Sequence, residues 1–513
     1  MLVPLTIEGF LERAAEVHGD RVAIVDEPGR PGSLGTLTYD EFWARAKGMA
    51  RALDALGVGA EARIAIVSPN AARFLIAFFG VSGFDRVLVP VNYRLNAAEV
   101  RYIVEHSGAD VVLIDPELDQ VFSEVTARHR IVMDGIQDAA LFAPCHAPFE
   151  RDTADENALV SVNYTSGTTA QPKGVRLTHR NCWLNAVTLG WHLQIGEADT
   201  YLHTLPSFHC NGWGLPYALA AMGCKQVIMR KIDGEEILSR IEREGVTILA
   251  AAPIVVSSIL QAADARLADD RPVPGYGTVR IVCAGAPPPQ AVIEKVEAVL
   301  GWEFIQLYGL TETSPLVTFN RIPRAAPGQD VERRASRLVA AGPPAIGVRI
   351  RLGEDGEIFT RSNNVFDGYW ENDAETGRAM RRGWFGTGDV GELRGPSLWI
   401  SDRKKDVIIT GGENVSSIEV EDCIYQHPAV AEACVIGMPD SRWGETVLAL
   451  IVREPGAELT EAEVIAFCRD HLAHYKCPRR VEFRDSLERT ATGKLQKNRI
   501  RAQYWSGSDR KIA

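Results

Sequence analysis

The sequence lacks several features whose absence narrows its reading. Its 513 residues contain no C-x-x-C pair, and the nine cysteines are scattered and odd in number. That argues against structural zinc and a disulfide framework, and it implies a reducing compartment, here the cytoplasm. No run approaches the ~18 apolar residues of a spanning helix. "FLIAFFGVSGF" (74–84), the most apolar stretch, has the length of a buried helix. The opening "MLVPLTIEGFLERAAEVHGD" has no basic start followed by a signal-type apolar core. Positive charge is in deficit: 55 Lys+Arg against 67 Asp+Glu leave a formal charge of -12. Nucleic acid is therefore not expected as the main partner, because phosphate backbones select basic surfaces. No solenoid-type repeat or low-complexity tract is present.

What is there is ordinary in bulk and patterned in detail. Apolar residues make up 46% and charged residues 24%, as in soluble globular proteins. The length predicts two or three domains with ample core. Short apolar runs at 63–67, 87–91, 110–115, 225–229, 246–251 and 279–285 read as buried strands. Helical patterns lie between many of them, such as 97–108 and 235–244. This repetition predicts an α/β fold: parallel-rich sheets covered by helices. The Pro/Ala/Arg-rich stretch 324–345 reads as a loop and subdomain junction. Near 400 the pattern changes to a compact α+β unit of roughly 110 residues. There Ser416 or Ser417 caps one helix and Thr460 opens another. The expected division is 1–403 and 404–513, the second part small and mobile.

Several motifs carry chemistry. "YTSGTTAQPKG" (164–174) packs glycines, hydroxyls and a lysine as an oxyanion-binding loop would. It is not a Walker A loop: Pro172 replaces the second glycine, and Gly174 stands where Ser/Thr would hold magnesium. In "QLYGLTETSP" (306–315), Tyr308 is a candidate to stack on a base, Thr311 to hold a phosphate oxygen and Glu312 to bind Mg²⁺. "GWFGTGDVG" (383–391) sets Asp389 in a glycine-rich turn, as a ribose acceptor or an Asx-type turn residue. "TATGKLQK" (490–497) presents Lys494 after a glycine. In "FHCNGWG" (208–214), adjacent His209 and Cys210 would point apart along a strand, which argues against a nucleophile pair.

The order of these pieces, with "DRKKD…GGEN" between the last two, resembles the adenylate-forming superfamily over about residues 10 to 500. That superfamily comprises acyl-CoA synthetases, peptide-synthetase adenylation domains and luciferases. "LPSFHCNGW" and "GGENVSSIEVE" are most similar to the acyl-CoA ligases of short, medium or aryl acids, including plant acyl-activating enzymes. His209 stands where amino-acid adenylation domains usually carry an aspartate. Ala170 departs from the glycine usual in the first loop.

The resemblance implies ATP and CoA as co-substrates, Mg²⁺ as cofactor and a small carboxylic acid as partner, and it allows a homodimer. Thr165, Ser166, Gly167, Thr168, Thr169 and Lys173 would hold the β- and γ-phosphates. Gly285, Ala286, Pro287 and Tyr308 would frame adenine, with Gly309 and Thr311 in the same nucleotide-binding motif. Asp389 and Arg403 would hold ribose. Glu312 and Thr165 would hold the metal, and Lys494 would balance charge during adenylation. His209, Asn211, Gly212 and Trp213 would form the acyl pocket, with His209 closing it. Lys405 would be the hinge, and Gly411, Gly412 and Glu413 would line a CoA channel. A carrier-protein ligase, a luciferase-like monooxygenase and a non-catalytic nucleotide sensor share these motifs and remain open at this point.

Overall fold

The computed structural model describes residues 3–148, 155–165, 172–285, 288–322, 330–410, 413–440, 442–489 and 495–505. Apolar runs without polar interruption become the inner strands of two large sheets. One is seven-stranded, in the order Gly368–Tyr369, Lys173–Thr178, Leu159–Thr165, Val87–Val91, Arg63–Val67, Ala109–Ile114, His129–Val132. Its last five strands pair in parallel, and the first three pair antiparallel. The other is eight-stranded, with a parallel interior running from Glu303–Gly309 to Val22–Val25 and an antiparallel strand at each edge.

Both sheets contribute to one hydrophobic cluster. It includes Ile64 and Leu88 from the first sheet and Ile228 and Ile305 from the second. The apolar stretch anticipated as a buried helix is one: Ala72–Gly80 is buried along its whole length. Phe78 and Phe79 meet Tyr217 of helix Leu215–Ala221 at centroid distances of 5.7 and 5.5 Å.

The sequence reading of 324–345 as a loop is corrected in part. Residues 323–329 lie outside the described residues, but Val331–Leu338 is a helix. Asp330 caps it, and Ala335 and Leu338 enter the core three residues apart. Arg334 reaches back to pair with Glu297 at 2.8 Å. The stretch 349–403 forms a third sheet, of five antiparallel strands, with the long strand Trp384–Arg394 central and Ser397–Arg403 paired to it.

Beyond residue 407 a smaller α+β unit builds its own core. Strands Ile408–Thr410, Glu413–Val415, Val430–Asp440, Gly444–Arg453 and Arg480–Phe483 form a sheet. Helices Ser417–Tyr425 and Glu461–His471 supply Val420, Ile424 and Val464 to one cluster. Helix Lys497–Trp505 supplies Ile500 to another, against Ile436 and Leu448. Ser416 caps the first helix, and Thr460 forms a capping box with Glu463 on the second. Among the described residues, no hydrophobic cluster mixes this unit with the larger part.

Candidate functional site

The two large sheets bring their loop-bearing strand ends together with the third sheet. Tyr308 is the penultimate residue of strand Glu303–Gly309, and Asp389 lies within strand Trp384–Arg394 rather than in the turn its neighbouring glycines suggested. Tyr308 donates its hydroxyl to Asp389 Oδ2 at 2.7 Å, and Arg403 Nε lies 3.3 Å from Asp389 Oδ1. Strand pairing explains the second contact, because Asp389 and Arg403 are register partners. Asp389 is only 4% exposed. Burial, reinforced by the Asp389 charge, pushes the Tyr308 phenol well above its ordinary range, so it stays a donor. Asp389 raises the Arg403 guanidinium in turn. A carboxylate with one donor on each oxygen keeps lone pairs for further hydroxyls.

Gly309 turns the chain directly after Tyr308. A Cβ there would lie 1.5 Å from the Pro315 carbonyl oxygen, so only glycine fits. The turn that follows, Thr311–Thr313, packs against strand Lys173–Thr178. Thr311 is buried, and Glu312 Oε1 accepts the Tyr369 hydroxyl at 3.0 Å. Lys173 Nζ lies 5.5 Å from the centroid of the Tyr369 ring and 2.5 Å from Glu375 Oε2. A chain of contacts thus runs Glu312–Tyr369–Lys173–Glu375. Thr165 and Lys173 are register partners in a hairpin, so they flank the hydroxyl-rich loop. Ser166, Gly167, Thr168 and Thr169 of that loop lie outside the described residues. So do Ala286 and Pro287, which follow the exposed, left-handed Gly285 (φ 99°).

The segment 209–214 is neither strand nor ordinary turn. Cys210, Asn211, Gly212, Trp213 and Gly214 all have positive φ, between 45° and 74°. Such a left-handed run costs roughly 1–2 kcal/mol for each non-glycine residue. Side-chain anchors hold it. Asn211 Nδ2 donates to Ser161 Oγ at 2.8 Å, and Asn163 Nδ2 donates to Asn211 Oδ1 at 3.0 Å. Asn185 Nδ2 donates to the Trp213 carbonyl at 3.1 Å, and Asn185 Oδ1 accepts Leu316 N–H at 3.3 Å. The Asn211 amide is thus engaged with the strand that leads into the hydroxyl-rich loop, and it is 1% exposed. Trp213 is buried, whereas His209 is half-buried. Burial raises the Cys210 thiol well above its usual range, which disfavours a thiolate nucleophile.

Lys405 lies in the turn between the third sheet and the small unit. Asp406 N–H donates to the Arg403 carbonyl at 2.8 Å, and the Lys405 carbonyl accepts Arg501 Nη1 at 2.7 Å. Burial lowers its ammonium. Glu413 is exposed on strand Glu413–Val415, while Gly411, Gly412 and Lys494 lie outside the described residues.

Sequence reasoning missed Tyr369, Glu375 and Asn185. The spacing of Asn372 and Glu375 signals a capped helix start, and the Glu375 N–H does donate to Asn372 Oδ1 at 3.1 Å. Nothing local points from Glu375 to Lys173, 202 residues away.

Among the described residues, no group of three or more His, Cys, Asp or Glu is placed to hold a metal ion. Glu312 and Thr165 offer few, hard oxygen donors. That set fits Mg²⁺, which keeps several waters and is shared with substrate phosphates. No helix among the described residues is long and apolar enough to cross a membrane.

Similarity to known proteins extends along nearly the whole chain. A probable CoA ligase of Humulus lupulus is 35% identical, with 96% of this chain and 93% of that protein covered. The peroxisomal benzoate–CoA ligase of Arabidopsis thaliana is 31% identical over 97% of this chain and 93% of its own. The o-succinylbenzoate CoA synthetase of Bacillus subtilis, solved with its acyl-adenylate intermediate, superposes with a TM-score of 0.82 at 28% identity and 98% coverage of both chains. The same enzyme has been solved with ATP and magnesium. Residues 419–494 match the C-terminal domain of the AMP-binding enzymes, and residues 11–370 match their main domain, so the chain belongs to the AMP-binding enzyme family.

Proposed function

We propose that the chain is an ATP-dependent acid–CoA ligase that forms AMP and pyrophosphate, acting on a short- or medium-chain or an aryl carboxylic acid. The observation that carries it is the buried Asp389, which holds Tyr308 and Arg403, while the turn that follows the Tyr308 strand carries Glu312 of the Glu312–Tyr369–Lys173 chain. One part is shaped for a nucleoside diol, and the other combines a cation with a metal-type carboxylate. Relatives that act on benzoate, 2-methylpropanoate and 4-hydroxybutyrate support the acid class. The nine unpaired cysteines support a reducing compartment such as the cytoplasm.

In this reading the acid's carboxylate attacks the α-phosphorus of ATP, and pyrophosphate leaves. The thiol of CoA then attacks the acyl carbon, and AMP leaves. The first step crowds anionic oxygens, so the site must supply preorganised cations. Lys173 serves the β- and γ-phosphates with the hydroxyls of 165–169, and Lys494 serves the reacting centre. Tyr308 bounds the adenine together with residues 285–287, and Asp389 accepts the ribose hydroxyls with Arg403 beside it. Glu312 and Thr165 would hold Mg²⁺, which supplies charge neutralisation when bound.

Tyr369 keeps the Glu312 carboxylate oriented. His209 and Trp213 bound the acyl side, and Asn211 holds the backbone that presents them. The division at 403/404, with Lys405 as hinge and 411–413 as thiol channel, belongs to the same proposal. A screen of carboxylic acids of graded chain length, with and without CoA, tests it. Pyrophosphate release that depends on the acid, with thioester formed only when CoA is present, is the expected result. Nucleotide binding without pyrophosphate release for any acid would favour a sensor instead.

A further inference from the structure

A cavity of about 280 Å³ opens beside Lys173, with Tyr102 and His106 of helix Ala97–Ser107 on one wall. Its walls are fixed. His106 Nδ1 lies 2.7 Å from the Tyr164 hydroxyl, and Trp370 Nε1 donates to the His106 carbonyl at 3.2 Å. Tyr164 directly precedes Thr165, so the wall is tied to the strand that enters the hydroxyl-rich loop.

One carboxylate among the residues lining this cavity serves two cations: Lys173 and Arg378 both pair with Glu375. Lys173 is the first residue of the strand leaving the loop, and its side chain reaches into the cavity wall. It therefore borders both the loop and the cavity. A flexible four-carbon stem lets one ammonium serve two neighbouring positions. Arg378 stands at the outer rim with its side chain 68% exposed, where it can meet an anion in transit.

We propose that this cavity is an exit site for the diphosphate product: pyrophosphate leaving the loop is handed on by Lys173 to the Arg378 rim, and Glu375 competes for Lys173 and takes it back as the anion departs. The inference rests on the ligase reading above. The position of Lys173 at the end of the loop favours released pyrophosphate over the diphosphate of CoA. Glu375 is a positioning residue here, acting on the anion through Lys173.

The test uses the full chain and inorganic pyrophosphate as product inhibitor of acid-dependent AMP formation, with ATP varied. Arg378→Ala removes one charge-assisted contact at an exposed rim, so the inhibition constant should rise by about 3–10-fold. Glu375→Gln removes the competitor for Lys173, so the inhibition constant should fall by a similar factor and the KM for ATP should fall with it. Opposite signs at two residues that touch each other cannot come from general loosening of the fold. Unchanged inhibition constants in both variants, or shifts of the same sign, would overturn the proposal. A raised KM for CoA in Arg378→Ala, with pyrophosphate inhibition unaltered, would overturn it in favour of the CoA diphosphate. If the unsubstituted enzyme forms no AMP with any acid, the ligase reading itself fails and this inference with it.

Discussion

Replacing Asp389 separates binding from folding. The carboxylate is buried, accepts the Tyr308 hydroxyl at 2.7 Å and faces Arg403 at 3.3 Å. If its remaining lone pairs accept the two ribose hydroxyls, Asp389→Ala loses two hydrogen bonds to a charged group, each worth about 1.5–3 kcal/mol. The sum is an upper bound, because water reaches the half-exposed Arg403 side and replaces part of the loss. ATP affinity should fall by roughly 10²-fold, with apparent affinity for the acid changing less. Asp389→Asn keeps the shape and one acceptor oxygen, so about 10-fold is expected. Tyr308→Phe leaves the carboxylate intact and should weaken ATP by only a few-fold.

Stability should follow a different order. Asp389→Ala strands a buried phenol hydroxyl at a cost of about 1–3 kcal/mol, and adding Tyr308→Phe should recover much of it. The assays are calorimetric titration with ATP and urea denaturation of the single and double variants. Full ATP affinity in a folded Asp389→Ala protein would refute the ribose role and leave Asp389 as a strand residue that organises Tyr308.

Three further outcomes are expected. Lys494→Ala should slow acyl-adenylate formation by roughly 10²–10³-fold while sparing thioester formation from pre-made adenylate; equal loss of both steps would reject its role. Lys405→Pro fixes φ at the third residue of the turn closed by Asp406 N–H and the Arg403 carbonyl, a place proline disfavours. Pyrophosphate release should persist in that variant while thioester formation collapses, and parallel changes in separately measured half-reactions would dismiss the hinge. Burial, with Glu421 beside it, pushes the Asp422 carboxyl up to about 8. The folded state thus holds this proton more tightly than the unfolded chain, whose carboxyl titrates near about 3.9. The stabilisation is complete below that value and is lost as pH rises towards 8. Melting temperatures of Asp422→Asn should accordingly fall less than those of the unsubstituted chain between pH 5 and 8.

The elements legible in the sequence are those whose cause is local. Strands Arg63–Val67 and Val87–Val91 coincide with uninterrupted β-branched and apolar runs, because both faces of an inner parallel strand are buried. Helix Ala97–Ser107 begins at Asn96 because Asn96 and Glu99 satisfy each other's backbone donors. Helix Val331–Leu338 was hidden, since its sequence, VERRASRL, is polar at most positions. It is a helix because Asp330 caps it and because Ala335, Leu338 and the Arg334–Glu297 pair find partners on a distant element. The antiparallel sheet of 349–403 was hidden for a similar reason. Strand Arg349–Leu352 alternates arginine with partly buried isoleucine and leucine, a short pattern that only its neighbours complete.

The candidate site divides along the same line. The motifs name the residues proposed to meet small molecules, yet the residues that contact and orient them come from far along the chain. Tyr369 lies 57 residues from the Glu312 it orients, and Glu375 lies 202 residues from Lys173. The segment 209–214 shows why. Glycine and asparagine favour positive φ, so Asn211, Gly212 and Gly214 make a left-handed backbone affordable, but Cys210 and Trp213 resist it. The balance is tipped by Asn185 on the Trp213 carbonyl and by Ser161 and Asn163 on Asn211. Those same anchors reach Leu316, just past the Thr311–Glu312 turn, and the strand ending at Thr165. A shift of segment 209–214 would therefore be felt at both of these elements. The motif "HCNGWG" thus encodes a backbone shape as much as a set of contacts: Asn211 holds the turn, and in the proposed function His209 and Trp213 are the side chains left to bound the acid.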